Sequence, residues 1–225
     1  MLILAAHGTR QRSGVQEVYR LAAAVADRLA VCEVPVCFVD VLGPSPAEVL
    51  RGVRGRAVLL PAFLASGYHV RVDVPREVGI SGHPDVVVTP ALGPHRSIAR
   101  VGMARLRHAG WQPGDAVVLA AAGSSDPVAL TQVQRAAAML AALTGAAVRV
   151  GYVATATPRV PAVVAELRRQ GAARVVISPY LLAPGLFHTG LAEAGADAVA
   201  APLGVHPELV DLVVRRYTHA TSDLR

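Results

Sequence analysis

The chain repeats itself once, and that repeat limits its architecture more than any other feature. Leu2-Ile-Leu-Ala-Ala-His7-Gly-Thr9 recurs as Val117-Val-Leu-Ala-Ala-Ala122-Gly-Ser124, 115 positions later. Ala57-Val-Leu-Leu-Pro61-Ala-Phe-Leu-Ala65 returns as Val175-Val-Ile-Ser-Pro179-Tyr-Leu-Leu-Ala183, an offset of 118. Asp85-Val-Val-Val-Thr-Pro90 through His95 matches Asp197-Ala-Val-Ala-Ala-Pro202 through His206, offset 111–112. Three blocks in one order at nearly one spacing mean two copies of a single unit. We place the copies at 1–112 and 113–225, with Trp111-Gln-Pro113-Gly-Asp115 as the linker.

Within each copy short apolar runs alternate with longer amphipathic stretches. Strands are expected near 2–6, 35–41, 57–62 and 86–89, then near 116–121, 147–153, 174–178 and 197–201. Runs such as Ala57–Leu60 and Val117–Ala121 carry no polar alternation, as strands buried on both faces of a parallel sheet require. Helices are expected near 14–30, 46–53, 68–79 and 95–109, with counterparts in the second copy. Ser45-Pro46-Ala-Glu48 reads as a capping box with Pro at the first helical position, and Asp126-Pro127 repeats the logic. The pattern specifies an α/β protein of two similar doubly wound lobes, each with a four-stranded parallel sheet, facing each other across a cleft. Ligands of such sheets bind beyond the carboxyl ends of the strands.

Composition closes off several functions. Hydrophobic residues make up 53% of the chain and aromatics only 4%, so the core is aliphatic and there is no stacking platform for single-stranded nucleic acid. All 22 basic residues are Arg, with 13 set against 8 acidic residues in 1–112 and 9 against 8 in 113–225. This surplus suits an anionic partner held through bidentate hydrogen bonds, while the absence of any basic run longer than two residues argues against DNA or a membrane surface. The longest charge-free stretch, Val175 to Ala192, is broken by Pro179, Pro184, Gly185 and Gly190, and the apolar start is too short for a signal peptide. Cys32 and Cys37 are spaced for neither a metal knuckle nor a disulfide framework. A cytoplasmic protein is expected, plausibly monomeric, with a homodimer left open.

Three polar residues fall at strand ends. His7 follows the first strand, Asp40 ends the second and His69 follows the third. In the order 2-1-3-4 these ends are neighbours, about 5 Å apart from strand to strand. Taken singly, each reads as an ordinary turn or hydrogen-bonded residue. Together, two imidazoles and a carboxylate suit a divalent transition metal. The second copy is a control, since His7 aligns with Ala122 and Asp40 with Ala154, while His69 aligns loosely with His188. His95 and His206 recur at equivalent helix starts, which marks them as structural.

The blocks His7-Gly8-Thr9-Arg10, Phe38-Val-Asp40…Pro44-Ser45 and Pro61…Gly67-Tyr68-His69, in this order and over both halves, resemble the sirohydrochlorin chelatases, in the long, duplicated form of the class II tetrapyrrole chelatases. The resemblance implies a chelatase-like fold and a lyase that inserts Co²⁺ or Fe²⁺ into sirohydrochlorin for cobalamin or sirohaem synthesis. It also implies a metal and catalytic site made of His7, His69 and Asp40, although the family usually has Glu where this chain has Asp40. Arg10, Arg12, Arg71 and Arg76 flank the His blocks as candidate grips for the substrate's carboxylates, with Gly8, Thr9, Tyr68 and His188 as further contacts. No cofactor is expected beyond the metal substrate, and no ATP, since neither GxGxxG nor GxxxxGK[ST] occurs. Another tetrapyrrole, Ni²⁺ or a non-catalytic carrier are the alternatives. A histidine phosphatase built on His7 is disfavoured because Ala6, not Arg, precedes it.

Overall fold

The computed structural model describes residues 1–222. In the first copy, β1 (Leu2–Ala6), β2 (Val36–Phe38), β3 (Ala57–Pro61) and β4 (Val86–Val88) form a parallel sheet in the order β2-β1-β3-β4. In the second, β5 (Ala116–Ala121), β6 (Val148–Tyr152), β7 (Val175–Tyr180) and β8 (Ala198–Val199) repeat it as β6-β5-β7-β8. Every residue of β1 and β3 is buried, because helices cover both faces. The helices of the first copy are α1 (Arg12–Leu29), α2 (Pro46–Arg51), α3 (Val74–Ser81) and α4 (Arg96–His108). Those of the second are α5 (Pro127–Thr144), α6 (Val160–Arg169), the short α7 (Leu186–Thr189) and α8 (Pro207–Ser222). No helix among the described residues is long and apolar enough to cross a membrane.

Local chemistry sets the helix starts. The Ser45 side chain accepts from the Glu48 N–H at 3.3 Å while Glu48 Oε2 accepts from the Ser45 N–H at 2.7 Å, which completes the capping box. Asp126 caps α5 through the Val128 N–H at 2.8 Å. His95 and His206 do the same work with imidazole: each Nδ1 accepts a backbone N–H, from Ser97 at 3.1 Å and Glu208 at 3.2 Å. These two histidines are helix caps, as their duplication implied.

The last helix of each copy does not pack where the expected boundary puts it. The compact units are Met1–Leu92 together with the segment carrying α8, and Gly93–Gly204. Thus α8 packs on α1 and β3, and α4 packs on α5 and β7. The division at 112/113 is therefore corrected: each sheet is finished by the helix that follows the other sheet's last strand. Residues 111–115 are no loose linker either. Trp111 is buried, its backbone N–H bonds to the Leu106 carbonyl at 3.0 Å, and Asp115 pairs with Arg174 at 2.7 Å, all inside the second unit.

Burial makes this exchange consequential. Helix α8 buries Leu209, Val210, Leu212 and Val213, each worth roughly 1.5–3 kcal/mol. Their sum is comparable with the whole stability of a domain, about 5–15 kcal/mol.

Beyond its last paired residues, β1 continues to hold the chain after β2. The Val39 N–H bonds to the Ala6 carbonyl at 2.9 Å and the Asp40 N–H to the His7 carbonyl at 3.0 Å. That closeness depends on Gly8, with φ of +99° and a position where a Cβ would run into the Asp40 carbonyl oxygen. The second copy repeats the device at Gly123, φ +98°, packed against Ala154 and Thr155.

Two predictions follow from this packing. The contiguous fragment 93–204 folds alone with a cooperative thermal transition by circular dichroism, whereas 1–112 and 113–225 show none, because each has lost the helix that finishes its sheet. Gly8→Ala costs roughly 2–4 kcal/mol in urea unfolding. Gly55→Ala, at φ +70° in open space, costs about 1 kcal/mol.

Candidate metal centre

The three strand ends converge as the strand order requires. One ligand atom each from His7, Asp40 and His69 lie within 4.8 Å of one another, the single such group of three or more His, Cys, Asp or Glu among the described residues. The imidazoles of His7 and His69 meet edge to face, centroids 4.4 Å apart at 82°. His7 and Asp40 are exposed and His69 half-buried. The donors of a tetrahedral ion stand about 3.4 Å apart for ligand bonds of about 2.1 Å, so the three lie close to the spacing one ion requires. An open, solvent-facing set of mixed N and O donors suits an ion that must also leave.

Each donor is held differently. His7 Nδ1 lies 3.2 Å from the Gly8 carbonyl, a long bond to an adjacent residue that restrains the ring only weakly. Asp40 Oδ1 accepts the Val41 N–H at 2.8 Å, and the Asp40 carbonyl accepts the Leu42 N–H at 2.8 Å. That turn drives Val41 to φ +68°, a conformation β-branched residues avoid and one that costs about 1–3 kcal/mol. The expected strand 35–41 is accordingly only Val36–Phe38, because the chain turns sharply to present Asp40.

His69 has the firmest support. The helix expected over 68–79 opens instead with a wide π-type turn, His69–Asp73, in which the Val74 N–H reaches back five residues to the His69 carbonyl. Pro75, lacking an N–H, cannot make the ordinary α bond to residue 71, so the register changes there and α3 starts afresh at Val74. The turn puts Asp73 beside His69, with Oδ2 2.6 Å from Nδ1, and Arg76 Nη2 2.8 Å from Oδ1. The Asp73 side chain is only 8% exposed, against 33% for His69. Phe63 packs against both imidazoles at 6.3 Å between centroids, near-parallel to His69.

The remaining candidates are less concentrated. Arg10 and Arg12 are exposed where α1 begins, and Arg71 is exposed on the π turn. Arg76, expected to face substrate, spends one guanidinium nitrogen on Asp73. Thr9 Oγ1 accepts the Gln11 N–H at 3.2 Å and so shapes the approach to α1. Tyr68 is 56% exposed and meets His69 edge-on at 6.2 Å, and Gly8 acts through its backbone. His188 belongs to the second unit, its Nε2 3.1 Å from the Ala200 carbonyl. Sequence reasoning missed Asp73 and Phe63; the signal for Asp73 was its spacing, four residues after His69 on an expected helix.

The second unit keeps the frame and drops the chemistry. The Ala154 N–H bonds to the Ala122 carbonyl at 2.8 Å, the counterpart of Asp40 on His7, with methyl groups in both donor positions. Neither cysteine joins the site. Cys32 is exposed away from the strand ends, and Cys37 is buried inside β2, where burial pushes its thiol up to about 12, with Glu77 adding to the shift. Such a thiol stays protonated and unreactive.

Comparison with known proteins agrees with this reading of the fold. No curated protein matches the sequence. Among solved structures, SirB from Bacillus subtilis with Fe³⁺ superposes with a TM-score of 0.85 at 19% identity, over 99% of this chain and 95% of that one. A sirohydrochlorin chelatase SirB from Bacillus subtilis subspecies spizizenii in complex with cobalt gives 0.80 at 17% identity, over 99% and 95%. CbiX, described as the terminal enzyme of siroheme biosynthesis in denitrifying bacteria, gives 0.70 at 21% identity, over 97% and 98%. The CbiX family model matches twice, over residues 1–109 and 116–220. Carrying one copy of that pattern in each of its repeats, the chain belongs to the CbiX family.

Proposed function

We propose that this protein is a metallochelatase that inserts Co²⁺ or Fe²⁺ into sirohydrochlorin, without a nucleotide, for cobalamin or sirohaem synthesis. The observation that carries the reading is the convergence of His7, Asp40 and His69 within 4.8 Å at the strand ends of one unit, in a chain of the CbiX family. Inserting M²⁺ into a tetrapyrrole demands two things, delivery of the ion to one face of the ring and removal of two pyrrole N–H protons. A neutral imidazole performs either task, and its ordinary pKa of about 6.5 lets it change role near neutrality.

The supports of the two imidazoles differ enough to divide the labour. His69, fastened through Nδ1 to a buried carboxylate, suits holding the arriving ion. His7, exposed and weakly restrained, suits accepting a proton and passing it to water. Asp40 offsets the charge of the ion on the way in, and its short side chain keeps that charge close to the backbone turn. Arg10, Arg12 and Arg71 stand around this set as partners for the carboxylates of sirohydrochlorin.

The test is an anaerobic absorbance assay with sirohydrochlorin in excess over protein, Co²⁺ or Fe²⁺ present and no nucleotide. Multiple turnover above the spontaneous rate supports the chelatase. A spectral change that stops at one equivalent of protein replaces it with a carrier that binds and hands on its ligand. His7→Ala and His69→Ala each lower the rate by at least about 100-fold; the thermal unfolding midpoint is little changed in His7→Ala, whose ring is exposed, and falls in His69→Ala, which leaves Asp73 Oδ2 without its partner. His188→Ala stays within a few-fold of wild type.

A further inference from the structure

We propose that Asp73 is the positioning residue of this centre: it locks His69 into the tautomer with hydrogen on Nδ1, so that the lone pair on Nε2 is presented permanently to the incoming ion. The proposal rests on the metal-binding reading of His7, Asp40 and His69 and deepens it, by naming the donor atom and the group that selects it.

The argument starts from satisfiability. A carboxylate only accepts hydrogen bonds, so the 2.6 Å contact between His69 Nδ1 and Asp73 Oδ2 needs the hydrogen on Nδ1. A neutral imidazole with Nδ1–H has its free lone pair on Nε2, which becomes the ligand atom. Asp73 cannot leave this task for another. Its second oxygen is taken by Arg76 at 2.8 Å, and at 8% exposure the carboxylate is largely withdrawn from solvent. The π turn fixes both ends of the pair on one short segment, so the alignment of the ring does not depend on distant parts of the fold. Phe63 lies beside the imidazole, with ring centroids 6.3 Å apart at 30°.

His7 sharpens the contrast. Its Nδ1 also faces a hydrogen-bond acceptor, the Gly8 carbonyl, but at 3.2 Å and at the surface. Only one of the two histidines is therefore committed in advance, and the commitment comes from a residue outside the group of three donors.

The test needs no tetrapyrrole. Long-range ¹H–¹⁵N correlation spectra of the metal-free full chain at pH 8, where an ordinary imidazole is neutral, report the tautomer of His69 directly. The wild type is expected to show Nδ1–H. In Asp73→Asn, Arg76 retains the amide oxygen as acceptor and the NH₂ group faces the ring, which forces hydrogen onto Nε2. The spectrum is then expected to switch tautomer, and Co²⁺ affinity, read by titrating the visible cobalt bands, to fall about 10–100-fold. His69 with hydrogen on Nε2 in the wild type overturns the proposal, and does so even if Asp73→Asn fails to fold. An unchanged tautomer or unchanged Co²⁺ affinity in a folded Asp73→Asn overturns it too, leaving the metal reading intact. Failure of the wild type itself to bind Co²⁺ overturns that underlying reading, and the role of Asp73 with it.

Discussion

Parallel strands align their carboxyl ends but do not by themselves hold together the loops that leave them. In this protein that task falls to the backbone bond from the Asp40 N–H to the His7 carbonyl, one step past the last paired residues. The bond can form only because the next residue, Gly8, has no side chain to strike the Asp40 carbonyl. His7 and Asp40 inherit their positions from this contact. His7 and Asp40 share an edge through it, the strained turn at Val41 follows directly from it, and His69 arrives from the adjacent strand to face both.

The duplication separates what the scaffold needs from what the chemistry needs. Both copies keep the strand order, the glycine after the first strand and a histidine capping the final helix. Only the first has His and Asp at the first two strand ends, where the second has Ala122 and Ala154. The retained histidines, His95 and His206, use Nδ1 to accept a backbone N–H. In His69 the same atom faces a buried carboxylate and is a donor. The same residue type therefore either caps a helix or leaves its other ring nitrogen open at the strand ends, according to the partner of Nδ1.

Much of this was legible in the sequence. The repeat gave two copies of one sheet, the unbroken apolar runs gave their parallel strands, and the position of His7, Asp40 and His69 at neighbouring strand ends gave their convergence. What could not be read is equally instructive. An amphipathic helix announces that it has a face to bury, not which sheet will receive it, so chain order alone places α4 and α8 with the strands they follow, and the packing reverses both. Trp111 looked like part of a linker because Pro113 and Gly114 surround a turn, yet the turn is packed. The π turn hinges on Pro75, whose missing N–H reads equally well as an ordinary first-turn proline. Asp73 was hidden by that same ambiguity, since its value depends on burial, which spacing does not reveal.

The exchange of α4 and α8 also orders events in time. As the chain leaves the ribosome, the strands of the first sheet emerge early but must wait, one face uncovered, for the segment from Val205 onward. The second unit, Gly93–Gly204, is contiguous and can close while that wait continues, since domains generally fold as units during synthesis. The half without the His7, Asp40 and His69 cluster is thus finished first. The half that carries the cluster is completed only when the last helix docks, so its strand ends are the last part of the fold to be set in place.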